Sequence, residues 1–187
     1  MKEKINVAFI MLGILVALAP VPARCRETVG VFEQPLLITS AGQNAEVQIV
    51  AVLAKRSRLT YTLAKQATAA DLKDAKTLVL VLGASLKGLG AAGLDMDKER
   101  GRVMELLAAS QKARVPLLCL HLGGEARRGE QSDDFIAEII PLARMVIVVK
   151  SGNADGFFTK LCQSKNIPLV EVEKTADAQA PLQKAFK

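Results

Sequence analysis

Leu78-Val79-Leu80-Val81-Leu82, bounded by Thr77 and Gly83, is an unbroken apolar run, and its reading decides the fold. A strand covered on both faces is apolar throughout, whereas a strand with one wet face alternates. This third strand candidate, Thr77 to Leu82, therefore belongs inside a sheet with helices on both sides. Val146-Ile147-Val148-Val149, in the fifth candidate Met145 to Val149, reads the same way. Leu59-Thr60-Tyr61-Thr62-Leu63 and Leu169-Val170-Glu171-Val172-Glu173 alternate instead, which sends the second strand and the sixth, Pro168 to Val172, to the edges. Leu36 to Ser40 and Val115 to His121 supply the first and fourth. The order that satisfies all six is 2-1-3-4-5-6, the flavodoxin-like arrangement. The Rossmann order 3-2-1-4-5-6 would put the most apolar strand at an edge.

Helical stretches separate the strands, so the expected architecture is a three-layer α/β/α domain with a mostly parallel six-stranded sheet. The first, Ala45 to Lys55, is apolar on nearly all sides. The second is short and opens at Thr68, with Asp71 three residues on as a capping-box partner. The third starts at Asp95 or Asp97, with Asp97 as a candidate cap, and runs to Ala113 with Val103, Met104, Leu106 and Leu107 as its buried stripe. The fourth starts at Ser132, whose hydroxyl is expected to cap it, and buries Ile136, Ile139 and Ile140 before Pro141. The fifth starts at Asp155 and turns Phe157, Phe158, Leu161 and Cys162 inward. The tail after Thr175 closes as a final helix near Phe186.

The 187 residues are 50% hydrophobic and 24% charged, enough for one well-formed core. Residues 1–23 read as a signal peptide, 24–34 as an N-terminal extension and 35–187 as a single α/β domain. Lys2 and Lys4 precede the apolar run Val7 to Ala19, and Val21-Pro22-Ala23 offers the small-x-small pattern of a cleavage site. The run falls short of the roughly 20 residues that span a bilayer. The expected product is extracytoplasmic, periplasmic or secreted, with no stable membrane insertion after cleavage. Arg24 before Cys25 speaks against lipid attachment. Of the three cysteines, Cys119 and Cys162 read as small buried hydrophobes, with a bridge between them as the second reading.

The segments leaving the carboxyl ends of the strands are rich in glycine and polar residues. They are Thr39 to Asn44, Gly83 to Gly93, His121 to Arg128 and Lys150 to Asn153. The turns at the opposite ends, around Arg56 to Arg58, Lys73 to Lys76 and Lys112 to Arg114, read as ordinary solvated basic turns. In this topology the chain reverses between strands one and three, and ligands bind outside the carboxyl ends at such a point. The expected ligand is a small anion such as a carboxylate or phosphate ester. Lys87, Arg127 and Arg128 would hold its charge, while Ser40, Gln43, Ser85 and Asn153 would orient it. Gly42, Gly123 and Gly124 would let backbone amides approach, and Glu125 and Asp155 complete the candidate set. His121, the sole histidine, is the candidate hydrogen-bond partner, or the general acid or base if a reaction follows. The competing reading gives the glycines to tight turns and the arginines to ion pairs with Glu125, Glu130, Asp133 or Asp134.

Other chemistries fit less well. Gly88-Leu89-Gly90-Ala91-Ala92-Gly93 matches a dinucleotide fingerprint in letters, but five residues separate it from the strand, so it reads as a flexible glycine loop or lid. Lys87 precedes the glycines where a P-loop lysine would follow them, and Gly83-Ala84-Ser85-Leu86-Lys87 lacks the last glycine of a nucleophile elbow. His121 with Glu125 and Asp133 lacks the spacing of a metal site, so neither metal nor cofactor is expected. Without Trp, and with Tyr61 as the sole tyrosine, nothing offers to stack bases, and no nucleic-acid partner is expected. The formal net charge of +6 leans toward an anionic partner.

Ser40-Ala41-Gly42-Gln43, Gly83 to Gly93, His121 to Gly129 with Ser132-Asp133, and Gly152-Asn153-Ala154-Asp155-Gly156 together resemble a family of exported bacterial proteins of unknown function. The resemblance covers about Pro35 to the C-terminus. It implies an uncharacterised α/β domain and supplies no activity, substrate or catalytic residue. The leading reading is a ligand-binding protein for a small anionic molecule. The alternatives are an enzyme on a similar ligand that uses His121, and a module for a protein partner in a membrane complex.

Overall fold

Continuous apolar runs do become the interior of the sheet. The computed structural model describes residues 30–187. The export segment 1–23, Cys25 and the rest of the chain up to residue 29 lie outside the described residues. Six strands, β1 (Leu36–Ala41), β2 (Tyr61–Leu63), β3 (Thr77–Leu82), β4 (Leu117–His121), β5 (Met145–Val149) and β6 (Leu169–Val172), form one sheet. Its order is β2-β1-β3-β4-β5-β6, and every pairing is parallel. β3 lies against β1 along its whole length, Leu36 opposite Thr77 through Ala41 opposite Leu82. The alternating segments are the edges, as expected. β2 keeps only Tyr61–Leu63 of the expected Leu59 to Leu63, because Leu59 still belongs to the turn after α1, its amide donating to the Ala54 carbonyl at 3.0 Å.

The helices are α1 (Glu46–Arg56), α2 (Leu86–Ala91), α3 (Met96–Lys112), α4 (Glu130–Ile139), α5 (Phe157–Ser164) and α6 (Gln179–Ala185). Alternate strand residues feed two cores, as the period of a strand requires. Leu36, Ile38, Val79, Val81, Leu118, Leu120 and Ile147 meet α1 and α6 through Val47, Val50, Leu53 and Leu182. Leu37, Leu78, Leu80, Cys119, Val146 and Val148 meet α3, α4 and α5 through Val103, Leu106, Phe135, Ile139 and Phe158. Cys119 and Cys162 are both free and buried in this second core. Among the described residues no helix is long and apolar enough to cross a membrane.

Several local expectations are corrected. The glycine stretch expected to be a flexible loop or lid is largely the short helix α2, capped by Ser85. α3 is capped by Asp95, which accepts from the Lys98 amide at 2.8 Å, so Asp97 is not the cap. α4 starts at Glu130, two residues before Ser132. The Ser132 hydroxyl instead donates to the Arg127 carbonyl at 2.7 Å and accepts from the Ala84 amide at 3.1 Å, tying two loops together. α5 starts at Phe157, because Gly156 takes a left-handed conformation that ends the preceding turn. α1, apolar on nearly all sides as read, leaves part of that surface in water: Ile49 and Val52 are 40% and 48% exposed. The pair Thr68 and Asp71 does form a capping box, on the single 3-10 turn Ala69–Leu72.

Candidate functional site

The loops after β1, β3, β4 and β5 emerge together on the carboxyl rim, where parallel pairing puts them. Gly42 follows β1 with φ +104°, and a Cβ there would lie 2.5 Å from the Gly83 carbonyl oxygen. The bare backbone thus lets the first loop close directly onto the third. The Gly42 amide donates to Glu99 Oε1 at 2.8 Å, and Gln43 Nε2 donates to both Glu99 oxygens at 3.1 Å. Arg102 donates to the same carboxylate, Nε to Oε2 at 2.9 Å and Nη2 to Oε1 at 2.8 Å. It also donates to the carbonyls of Ala67 at 2.7 Å and Ser40 at 2.6 Å. Glu99 is 0% exposed. Two groups expected to receive an external anion at the switch point, the Gly42 amide and the Gln43 side chain, therefore hold an internal carboxylate.

Neighbouring candidates serve the same closure. Ser40 Oγ accepts from the Asn44 amide at 2.9 Å, and Asn44 Nδ2 donates to the Val81 and Gly83 carbonyls at 2.8 and 3.0 Å. Ser85 Oγ accepts from the Gly88 amide at 3.2 Å. Gly88 rests on the Gln43 carbonyl so closely that a Cβ there would overlap it. Lys87 is exposed and in no ion pair among the described residues.

After β4, His121 is 0% exposed. Its Nδ1 lies 3.1 Å from the Leu82 carbonyl oxygen and its Nε2 3.0 Å from that of Gly124. Both are acceptors, so the neutral ring donates to one of them and only the imidazolium to both. Burial lowers the His121 pKa and outweighs the two carbonyls; Arg128 also lowers it, and Asp133 opposes. The Phe158 ring, with centroids 4.9 Å apart, and the backbone of Gly152 close over the imidazole. Neither nitrogen is turned to solvent. Both nitrogens are thus engaged by carbonyls of the fold.

The two arginines separate. Arg127 lays its stem over Gly83 and Gly123, whose missing side chains make the room, and Nε donates to both Glu46 oxygens at 3.2 Å. Arg128 uses all five N–H groups within the fold. Nε and Nη2 grip Asp133 at 2.6 and 3.0 Å, Nη1 and Nη2 grip Asp155 at 3.1 and 3.0 Å, and Nη1 also donates to the Gly152 carbonyl at 2.5 Å. The guanidinium lies 4.3 Å from the Phe157 ring centroid, a cation–π contact, and its side chain is 12% exposed. The hydrogen bonds Arg128 donates to these carboxylates raise its pKa further, and Arg128, with the Phe157 amide, pushes Asp155 down to about 2. Asn153 accepts from the Phe158 and Thr159 amides and donates to Thr159 Oγ1 and Glu171 at 2.8 Å, so it organises the start of α5. Gly124 is buried beside Ser151, and Glu125 is exposed.

Sequence reasoning missed Glu99, Arg102 and Glu46. Glu99 carried a signal: it stands four residues before Val103 and seven before Leu106, in register with the buried stripe of α3, so a charge there needed an internal partner. Burial also raises both thiol pKa values, that of Cys162 to about 11, which leaves them inert at neutral pH. Among the described residues no three His, Cys, Asp or Glu side chains are grouped to hold a metal.

Comparison with known families finds one match, described as "Domain of unknown function (DUF6305)", over residues 33–186. No curated protein matches the chain. Among solved structures, similar ones include a GDSL-like lipase from Bacteroides thetaiotaomicron, with 10% identity and a TM-score of 0.33 over 73% of this chain and 66% of that one. Another is AlinE4, a SGNH-hydrolase family esterase, with 11% identity and a TM-score of 0.31 over 72% and 73%. At that identity and TM-score the two enzymes set no expectation for the chemistry of this chain.

Proposed function

The chain belongs to the DUF6305 family of domains of unknown function, and on that premise we propose that it is an exported, non-catalytic domain that binds an anionic molecule through unpaired cations. The carrying observation is the segregation of charge. On the carboxyl rim Arg102, Arg127 and Arg128 are each committed to carboxylates of the fold, and the cations left unpaired there among the described residues, Lys65, Lys87 and Lys174, are lysines. On the amino rim Arg56, Arg58, Lys73, Lys112, Arg114 and Arg144 enter no ion pair among the described residues. Asp74 is the lone acid in the five turns that enter β2 to β6. A rim on which cations outnumber acids attracts anions. The carboxyl rim, including His121 and Arg128, then serves as a clamp that holds the loops closed.

Thermal melting against small carboxylates, phosphates, amino acids and nucleotides tests this. A true ligand at a hundredfold excess over its dissociation constant adds about 2.7 kcal/mol. The expected result is a saturable rise with an organic anion, lost in high salt and insensitive to His121→Asn. Turnover of a small ester or phosphate ester that His121→Asn abolishes would replace this reading with the enzymatic one. No shift with any anion would leave the module for a protein partner.

A further inference from the structure

A cavity of about 290 Å³ opens on the amino rim, between the carboxyl end of α3, the 3-10 turn Ile140–Leu142 and the entries to β4 and β5. Its volume falls just below the range for drug-sized small-molecule sites, about 300–1,000 Å³, which restricts it to a small ligand. Leu107 and Leu117 form a buried apolar floor, and Leu142, 39% exposed, forms one wall. Arg114 and Arg144 stand on its border, and none of its lining residues is acidic. Both arginines are exposed, and neither has an ion-pair partner among the described residues.

The frame around this opening is fixed. Arg114 takes a left-handed conformation, φ +57°, which ends α3. The amides of Ala113, Arg114 and Val115 donate to the carbonyls of Ala109, Gln111 and Ser110 at 2.9, 3.0 and 2.8 Å. Those bonds cover last-turn carbonyls that would otherwise repel an anion at the negative end of the helix. The Arg144 amide donates to the Leu117 carbonyl at 2.8 Å, joining the two strand entries.

We propose that this groove binds a small amphiphilic carboxylate, its apolar body on Leu107, Leu117 and Leu142 and its head on Arg114 and Arg144. The proposal rests on the anion-binding reading above and names its site and ligand class. Two guanidiniums beside an apolar floor suit one compact charged head on a short apolar body. A planar carboxylate matches the donor fork of arginine.

Calorimetric titration of the full chain with sodium octanoate tests it. We expect one saturable site, with affinity rising about fourfold per methylene from butanoate to octanoate, since each buried methylene contributes about 0.8 kcal/mol. Arg114→Asn keeps a residue that tolerates the left-handed backbone, and Arg144→Gln keeps the length; each should weaken octanoate at least tenfold. Lys160→Gln, on the exposed face of α5 and outside both the groove and the amino-rim turns, should leave affinity unchanged. 1-Octanol, which has the same tail without the charge, should bind at least tenfold more weakly than octanoate to the unaltered protein. Equal binding of octanol and octanoate, or equal losses from Lys160→Gln and Arg144→Gln, would overturn the groove. If octanoate fails while inorganic phosphate or citrate binds, the groove is wrong and the anion-binding reading stands; if no anion binds, both fall.

Discussion

His121 shows how little a residue type says before its neighbours are known. A single histidine at the end of a parallel strand, opening onto Gly123-Gly124, has the address of a catalytic group. Its surroundings are those of a structural one, with two carbonyls on its nitrogens and Phe158 and Gly152 over its face. The depressed pKa fixes the sign of a stability effect. An unfolded histidine takes a proton near pH 6.5, whereas the folded ring takes it only at lower pH. Between those values the unfolded chain binds more protons, so the stabilisation present above about pH 6.5 is lost as pH falls toward the folded value. The protein has one histidine, so replacing it removes the whole imidazole share of that slope. Urea midpoints between about pH 7 and pH 5 should fall in the natural protein, and the His121→Asn variant should show a flatter profile. Equal slopes would place the ring in water and contradict the burial.

At the scale of elements, α2 carries two glycines with opposite consequences. Gly88 meets the Gln43 carbonyl, so Gly88→Ala forces α2 off the loop after β1 and should destabilise by about 3 kcal/mol, the upper part of the overpacking range. Gly90, two residues on, has no atom within 4 Å of a built Cβ, so Gly90→Ala should stabilise by about 0.5–1 kcal/mol through helix propensity alone. Denaturant midpoints of the two variants should move in opposite directions; a common direction would mean that α2 does not dock as described. The contrast also marks what the sequence makes legible. Strand order followed from the apolar runs of β3 and β5 against the alternation of β2 and β6, because coverage on two faces or one is written into each residue. The convergence of Ser40, Gln43, Ser85, His121 and Arg128 on one rim followed from topology. Of their partners only Asp133, five residues from Arg128, was among those expected; Glu46, Glu99 and Asp155 were not, because only packing shows which more distant carboxylate a side chain meets. Gly88 looked like part of a flexible loop for the same reason: close approach and free swing require the same residue.

For the whole molecule, the decisive feature is that the arginines Arg102, Arg127 and Arg128 are paired on one rim, whereas Arg56, Arg58, Arg114 and Arg144 are unpaired on the other among the described residues. Glu99–Arg102 and Arg128–Asp133 are largely buried, so added salt weakens them little. Arg56, Arg58, Lys73, Lys112, Arg114 and Arg144 lie in water at successive turns of one edge. At low ionic strength their mutual repulsion reaches beyond the roughly 10 Å that 0.1 M salt allows. The folded state holds these charges together and the unfolded chain lets them disperse, so the repulsion acts against folding. Sodium chloride should therefore raise the melting temperature at pH 7. Relief of about 1 kcal/mol corresponds to roughly 2–4 °C for a chain of this size. Lys73→Glu, which puts an acid among these cations, should raise the midpoint in dilute buffer and shrink its response to salt. Charge reversal of Lys150, paired with Glu173 on the other rim at 2.9 Å, should lower the midpoint in dilute buffer. A melting temperature that falls as chloride is added, or Lys73→Glu and Lys150→Glu variants that shift alike, would mean that the two rims do not differ electrostatically, and the anion-binding reading would lose its footing.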